Sequence, residues 1–503
     1  MLGSLKFNFS NPLSRRAVLA LIAAAFLPAG CMVGPNYSPP ETKSPATFSE
    51  LPAAATQPAA TRPAATTQPA YPHQVTLEQR EADLSAWWNQ FNDPELNSLI
   101  TQAMSSNLDV QLAISRVQQS RAVLNGSVAN LLPEFTGNAS FNRQKPSYNP
   151  GGHQEISNNY LADIDASWEI DIFGGIRRGI ESASASLAAS EYDQQDALVV
   201  VTSEVALDYV QLRGIQRQIE VVQNNISAQQ GTVKMTQQLF NNGNGFGNSL
   251  AVQQAQAQLA TTEALLPPLK ISEDQTIHAL SVLLGEEPGT LMKTLSVTAP
   301  IPHPPSSVPV GMPADLLWRR PDIRSAEESL HAATAQIGVA VSNLFPTFTL
   351  TGSGGFSSNH SANWLDVNSL FYQFGPQISW DLWDFGRVNA TIDQDKALAD
   401  QALITYKQTV LTALQETEDA LIALQQDQIH REQLAGVVVA DQKVFNLSMQ
   451  LYQNGLDTFL DVLTAQQALL SAQDSYVLSL TAVDTDLITL YNALGGGWEA
   501  TPP

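Results

Sequence analysis

Residues 167–174, SWEIDIFG, decide the fold, because a second copy of the stretch, SWDLWDFG, stands at residues 379–386. The two copies lie 212 residues apart. Two further pairs keep this offset within one residue: LFNNG at 239–243 with LYQNG at 451–455, and LPEFT at 132–136 with FPTFT at 345–349. Matches at three separate places with a nearly constant offset indicate a tandem duplication of one long structural unit.

The quoted stretch ends a segment in which apolar and polar residues alternate. One face carries Tyr160, Ala162, Ile164, Ala166, Trp168, Ile170 and Ile172, and the other carries Asp163, Asp165, Ser167, Glu169 and Asp171. This period of two predicts a strand, and similar patterns near 135–142, 348–357 and 372–382 predict three more. Such strands fit a membrane β-barrel with its apolar face toward lipid. They also fit a soluble antiparallel sheet with one buried face.

Four strands are too few for a closed barrel in a membrane. Outer-membrane barrels start at about eight strands, and lipid does not tolerate an open sheet edge. Two copies of the chain would supply eight strands and three copies twelve. Because an eight-stranded barrel is filled by its own side chains, a conducting pore favours three copies.

Two long segments without proline flank the duplicated tips. Residues 174–241 and 386–453 are each predicted to form a helix of roughly 100 Å, and both are too polar to span a bilayer. Leu463, Leu470 and Val477 recur every seven residues, which is a coiled-coil spacing. Each helix is expected to reverse at an Asn-Gly tip, Asn242-Gly243 in the first copy and Asn454-Gly455 in the second.

The first 30 residues have the basic start and short apolar stretch of an export signal. The signal ends in LPAGC at 27–31, which resembles a bacterial lipobox and implies a lipid on Cys31. An ordinary signal followed by a chance cysteine is the alternative. Cys31 is the only cysteine in the chain, so no intramolecular disulfide is possible.

A proline-dense linker and an acidic composition complete the N-terminal picture. Residues 51–72 repeat Ala, Thr, Gln and Pro and cannot hold a helix, so they are predicted to tether the lipid to the body. A glycosylated stalk is the alternative. The formal net charge of −23 argues against nucleic acid and anionic lipid surfaces as partners.

Several motifs together resemble the outer membrane factors of the TolC/OprM/NodT type, and in particular the OprM-like branch. The motifs are CMVGPNY at 31–37, WW at 87–88 with DPEL at 93–96, RRPDIRSAE at 319–327, WDLWDFGR at 380–387 and LGGGW at 494–498. The resemblance covers about residues 31–498. It implies domains at 1–30 (signal), 31–84 (anchored segment and linker), 85–300 and 301–498 (the two repeats) and 499–503 (tail).

The resemblance also implies a fold and a function. The fold is a mixed all-α coiled-coil barrel with a transmembrane β-barrel, in which a homotrimer contributes twelve strands. The function is that of an outer-membrane exit duct of a tripartite efflux system, which passively carries small molecules from periplasm to exterior. Its partners would be outer-membrane lipid, an inner-membrane pump and a periplasmic adaptor that contacts the two tips. A non-conducting periplasmic coiled-coil scaffold lipoprotein is the competing hypothesis.

Candidate functional residues follow from this resemblance. In the family, side chains just past the second tip narrow the periplasmic end of the duct. Here Leu460 would supply an apolar constriction, and Asp457 and Asp461 would form charged rings that favour cations and raise each other's pKa. Ordinary solvated acids at a helix start are the alternative.

An acidic barrel lining is also expected, although generic polar lining would give the same pattern. The lining residues would be Asp163, Asp165, Glu169, Asp171 and Asp381. The seven histidines are scattered without metal-ligand spacing, and no catalytic constellation stands out. We therefore expect neither an enzyme nor a cofactor other than the lipid on Cys31.

Overall fold

The computed structural model describes residues 32–41, 45–49, 75–78, 84–145, 156–241, 248–305 and 307–499. The signal, Cys31, the proline-dense linker and the first tip, Asn242-Gly243, lie outside these residues. The chain divides into two compact units. The sheet unit consists of Met1–Pro40, Gln118–Ala188 and Glu327–Ile404, and the helical unit consists of Glu41–Val117, Ala189–Ala326 and Thr405–Pro503.

The sheet unit contains one antiparallel sheet of four long strands. Its strands are β1 (Glu134–Gln144), β2 (Ser157–Ile170), β3 (Thr347–Ser358) and β4 (Leu370–Ser379), in the order β1-β2-β3-β4. Phe135 pairs with Ala166 in the first hairpin, and their duplicates Phe348 and Ile378 pair in the second. The two hairpins therefore share one register, as the duplication predicts.

A tryptophan fixes the end of each hairpin in the same way. The indole Nε1 of Trp168 donates to the carbonyl oxygen of Leu131 at 2.9 Å, and that of Trp380 donates to Leu344 at 3.1 Å. Leu131 and Leu344 are themselves 213 residues apart. The repeated motif thus makes a repeated hydrogen bond, so the duplication extends to individual contacts.

Helices supply most of the remaining structure. The helices of more than ten residues are α1 (Pro94–Ser106), α2 (Leu108–Ala129), α3 (Gly175–Asn241), α4 (Ser249–Glu263), α5 (Leu266–Leu283), α6 (Pro321–Ser342), α7 (Arg387–Gln453) and α8 (Phe459–Ala493). The predicted long helices correspond to α3 and α7, which have 67 residues each. Gly174 and Gly386, with φ of +81° and +87°, make the turn that precedes each long helix.

Two breaks interrupt the helices of the first repeat. The segment from Pro94 to Ala129 is interrupted at Asn107, whose Oδ1 accepts the N–H groups of Asp109 and Val110 at 2.8 and 3.2 Å. Its Nδ2 donates to the carbonyl oxygen of Leu283 at 2.8 Å. The second break separates α4 from α5. In the second repeat, the corresponding helix α8 is continuous over 35 residues.

Three of the motifs that carry the family resemblance, near residues 87–96, 319–326 and 494–498, meet in the core of the helical unit. Trp87 is fully buried, stacks on Tyr491 with ring centroids 5.0 Å apart, and leaves no space for a side chain at Gly496. Trp498 donates from Nε1 to the carbonyl oxygen of Arg319 at 2.9 Å. These residues stand far apart in the sequence, and their packing joins the two repeats within this unit.

Arg320 links the second repeat to the C-terminal end of α8. Its guanidinium binds both carboxylate oxygens of Asp322, at 2.8 and 3.0 Å, and Glu416 at 2.7 Å. It also donates to the carbonyl oxygen of Ala493 at 3.1 Å. The planar guanidinium satisfies three partners in a nearly buried position, which an ammonium group cannot do with the same geometry.

Candidate functional site

The sheet leaves its apolar face uncovered. Side chains that alternate along the four strands share this face, and six of the large ones are strongly exposed: Phe135, Phe141, Ile164, Tyr372, Phe374 and Ile378. Phe135 is 69% exposed and Phe374 is 81% exposed. A soluble sheet covers such a face with other parts of the fold. Within the described residues nothing covers it, and a contiguous aromatic surface of this kind fits a lipid environment.

The opposite face of the sheet is polar. Asp163, Asp165 and Glu169 lie on this face of β2, and Asp165 Oδ2 accepts a hydrogen bond from Asn138 Nδ2 on β1 at 2.7 Å. In β3 and β4 this face carries Thr347, Thr349, Thr351, Ser353, Gln373 and Gln377. The sheet therefore has the two-faced chemistry that lipid on one side and water on the other require.

The remaining two acids of the expected lining lie beyond the strands. Asp171 follows β2, accepts the N–H groups of Ile176 and Arg177 and forms an ion pair with Arg177 Nε at 3.0 Å. Asp381 follows β4 and pairs with Arg387 Nη2 at 3.3 Å. Both carboxylates are thus held by an arginine six residues on, at the start of a long helix.

The segment directly after Cys31 is fixed to the sheet unit. Val33 donates its N–H to the carbonyl oxygen of Phe173 at 3.1 Å. The buried Arg178 donates to the Val33 carbonyl oxygen at 3.1 Å and to Asn36 Oδ1 at 2.7 Å, and it pairs with Glu181 at 2.7 Å. The segment that would follow a lipid on Cys31 is therefore bonded to Phe173, three residues past the end of β2.

Close backbone approaches make this docking specific. Gly34 has φ +89°, and a Cβ atom there would lie 2.5 Å from Gly338 Cα on α6. A Cβ on Gly174 would lie 2.9 Å from Met32 Cα. The ring of Tyr37 stacks on His331 with centroids 4.3 Å apart. Nothing in the local pattern distinguishes Arg178 or Gly338 as docking residues, because their partners are more than 100 residues away.

The second helix tip ends α7 with a backbone motif. Gly455 has φ +70° and donates to the carbonyl oxygen of Tyr452 at 3.0 Å, while Leu456 donates to Leu451 at 3.0 Å. This is the Schellman pattern that the Asn454-Gly455 pair predicts. A small apolar cluster lies close to this tip in the sequence and consists of Tyr452, Phe459 and Val462 together with Ala251 and Ala255 of α4. This cluster connects the two repeats near the tip.

The proposed gate residues lie at the start of α8. Leu460 is 58% exposed, whereas Phe459 and Val462 beside it are buried. Asp457 Oδ1 accepts the N–H of Thr458 at 2.8 Å, and the Thr458 hydroxyl donates to the carboxylate of Asp461. The Thr458 hydrogen bond, with a contribution from Asp457, lowers the pKa of Asp461. In the single chain this direction is opposite to the one expected for rings of repelling carboxylates.

No group of three or more His, Cys, Asp or Glu residues in the described ranges has an arrangement suited to a metal ion. Of the helices that the structure describes, none combines the length and the apolar character that crossing a membrane takes.

Comparisons with known proteins agree with this architecture. The family model of the outer membrane efflux protein matches twice, at residues 99–286 and 312–496, which are the two repeats. Nodulation protein T of Rhizobium leguminosarum bv. trifolii is 31% identical over 477 residues, which cover 94% of this chain and 96% of the relative. The pyoverdine export outer membrane protein OpmQ of Pseudomonas aeruginosa is 32% identical over 428 residues, covering 83% and 89%.

Solved structures show the same fold. The outer-membrane channel OprN superposes with a TM-score of 0.83 at 33% identity, covering 93% of this chain and all of that one. The open state of the MtrE channel of Neisseria gonorrhoeae gives a TM-score of 0.78 at 25% identity, covering 93% and 99%. The chain belongs to the outer membrane efflux protein family, and it is an outer-membrane exit duct that extends into the periplasm.

Proposed function

We propose that three copies of this chain close one twelve-stranded barrel and form a passive duct for small molecules, without catalysis and without a cofactor beyond the lipid on Cys31. The observation that carries this proposal is the exposed apolar face of an open, four-stranded sheet. In lipid the outer edges of β1 and β4 need partners, because each unpaired backbone group there costs several kcal/mol. Further copies of the same chain offer matching edges.

The duplication gives the register of this closure. Within the chain, Asp165 of β2 pairs with Ser353 of β3. The duplicate of Asp165 is Gln377 on β4, and the duplicate of Ser353 is Ser140 on β1. We therefore expect Gln377 of one copy opposite Ser140 of the next. This register places Ile378 opposite Ala139 and Pro376 opposite Phe141, whereas Phe374 would lie opposite Arg143.

Exposed aromatic residues support the same seam. Phe173 stacks on Phe345 in the chain, with ring centroids 4.5 Å apart. Its duplicate Phe385 is 99% exposed, and the duplicate of Phe345, Leu132, is 67% exposed. Phe385 also has φ +52°, which is uncommon for a residue other than glycine. Contact between Phe385 of one copy and Leu132 of the next would bury both side chains.

Asp457, Leu460 and Asp461 are proposed as the periplasmic gate. Leu460 and Asp461 are exposed at the start of α8, and the half-buried Asp457 lies in the turn just before it, so neighbouring copies could form rings from these residues. Two rings of carboxylates favour cations and repel anions. Removal of Asp461 would lower cation selectivity, and removal of Leu460 would widen an apolar constriction.

Single-channel recording in planar bilayers tests the duct and its gate together. We expect stepwise conductance with a cation preference, reduced in Asp457→Ala and Asp461→Ala. Asp393→Ala, at an exposed acid paired with Lys396 on α7, is the matched control. Unchanged selectivity in both gate variants would contradict the gate. Absence of any conductance from purified protein would instead favour the scaffold hypothesis.

The adaptor and the pump are proposed from the relatives. The names of related Pseudomonas putida proteins describe efflux pump outer membrane proteins, one for an antibiotic and one for toluene. We propose that this duct likewise meets a periplasmic adaptor, through tips that include Asn454-Gly455 and Asn242-Gly243. Because the cargoes that the relatives are named for differ widely in chemistry, selection of cargo is proposed to take place at the pump.

A further inference from the structure

A cavity of about 500 Å³ lies within the helical unit and has no role in the duct described above. Its walls come from α3, α7, α8 and the loop 298–304. The volume falls within the ordinary range of small-molecule sites, about 300–1,000 Å³. All of its lining residues belong to the helical unit.

A buried carboxyl group points to a ligand. Asp484 lines the cavity and is only 3% exposed, yet its Oδ1 atom has no hydrogen-bond partner in the part of the chain that the structure describes. A buried polar atom without a partner costs about 1–3 kcal/mol. Burial raises the pKa of Asp484 well above its ordinary value, and the nearby Arg431 opposes this shift. The protonated carboxyl can both donate and accept a hydrogen bond.

The other walls define the rest of the ligand. Pro300, Ile301, Pro302 and Leu480 present apolar surface to the cavity. At its rim, Arg217 is paired with Glu220 at 2.6 Å. The positive charge of Arg431 would disfavour a cationic ligand. An anionic ligand would lie beside the buried carboxyl of Asp484 and beside Glu220, and both would disfavour it.

We propose that this cavity binds a neutral small molecule that has an apolar body and one hydroxyl or amide group. The polar group hydrogen-bonds to the Asp484 carboxyl, and the body packs on Ile301 and Leu480. Bound there, the molecule joins the loop 298–304 to α8. The proposal does not depend on conduction, because every contact it uses lies within one chain.

A matched series of brominated probes tests the site in crystals of the full chain. The probes are 4-bromobenzyl alcohol (neutral), 4-bromobenzylamine (cationic) and 4-bromobenzoate (anionic). We expect a bromine anomalous peak in the cavity from the alcohol, in contact with Ile301 or Leu480, and none from the two charged probes. No peak with the alcohol, or equal peaks from a charged probe, would overturn the proposal.

Two variants separate specific binding from partition into any apolar space. Asp484→Leu removes the hydrogen bond, and it avoids a new buried polar group, so it is expected to fold. Saturation-transfer NMR should show the alcohol binding at least tenfold more weakly to this variant, whereas Asp484→Asn should stay within about threefold of the unmodified chain. Equal affinity for all three proteins would contradict the role of Asp484, and a thermal scan of each verifies folding.

Discussion

Arg320 shows how a family motif acts through ordinary packing. Its guanidinium has bonds to Asp322, Glu416 and the carbonyl oxygen of Ala493, and it is nearly buried. Burial lowers its pKa, and the hydrogen bonds and charges of Asp322 and Glu416 more than offset this. The motif is thus explained by stability of the helical unit, and no contact with transported molecules is needed to account for it.

Substitution of Arg320 by alanine is predicted to destabilise the protein by about 2–4 kcal/mol, because it leaves Asp322 and a buried carbonyl oxygen without their partner. Denaturant unfolding of the purified chain measures this change. Lys396→Ala, which breaks an exposed pair with Asp393, is the control and should cost less than about 0.5 kcal/mol. Equal effects of the two substitutions would contradict the structural role of Arg320.

Asp486 gives the protein a predictable response to pH. Burial, together with the carboxyl of Asp427, raises the pKa of Asp486 to about 7. Its ordinary value is near 4, so between about pH 4 and 7 the folded state holds a proton that the unfolded state releases. The free energy of unfolding contributed by this group therefore falls as pH rises through that window.

Asp486→Asn removes this proton exchange, so we expect a flatter dependence of the thermal midpoint between pH 4.5 and 7.5. The unmodified chain should lose more stability over that range than the variant does. Asp393→Asn is the matched exposed control and should follow the unmodified chain. A variant as steep as the unmodified chain would show that Asp486 is not the responsible group.

At the scale of elements, pattern predicts the sheet and the long helices well. The alternation over residues 160–172 is a local signal, and β2 corresponds to it. The two proline-free segments are also local signals, and α3 and α7 correspond to them. The break at Asn107 depends on a hydrogen bond to Leu283, 176 residues away, which no local pattern contains. The break before α5 is better signalled, because Pro267 and Pro268 stand in the first turn of that helix.

The anchored segment is the element least visible in the sequence. The lipobox resemblance predicts a lipid on Cys31, but where residues 32–37 lie depends on Arg178, Gly174 and Gly338. Of the candidate site residues, the tip Asn454-Gly455 has the predicted backbone geometry. Asp171 and Asp381 each follow their strand by one or two residues, because the alternating pattern continues past the last paired residue.

Gly34→Ala is predicted to release the anchored segment from α6. The new Cβ would meet Gly338 Cα at 2.5 Å, in addition to the strain at φ +89°. Hydrogen–deuterium exchange at Val33 should then become faster, because its bond to Phe173 is lost.

Gly386→Ala is the control for this prediction, because Gly386 has nearly the same strained φ, and in the part of the chain that the structure describes a Cβ there would meet nothing within 4 Å beyond its chain neighbours. It should cost about 1–2 kcal/mol from backbone strain alone and leave exchange at Val33 unchanged. Slow exchange at Val33 in both variants would contradict the docking of this segment through Gly34.

At the scale of the whole molecule, the proposed role of the duplication is closure of the barrel. Two similar units in each of three copies would place six similar units around one pore, and the contact of Phe173 with Phe345 would recur between copies as Phe385 with Leu132. The assembly itself depends on other copies, so the sequence predicts it only through the number of strands. The structure adds two observations: the exposed apolar face indicates which side of the sheet would contact lipid, and the shared register of the hairpins indicates how the strands of neighbouring copies would pair.

Disulfide cross-linking in outer membranes tests the central claim, a barrel closed by three copies in a defined register. In a chain with Gln377→Cys and Ser140→Cys, mild oxidation should give covalent dimers and trimers and nothing larger. The shifted pair Gln377→Cys with Asn142→Cys lies on the same face but about 7–8 Å from register, beyond the reach of a disulfide, and should remain monomeric. Equal cross-linking of both pairs, or a ladder that stops at dimers or continues past trimers, would contradict the account.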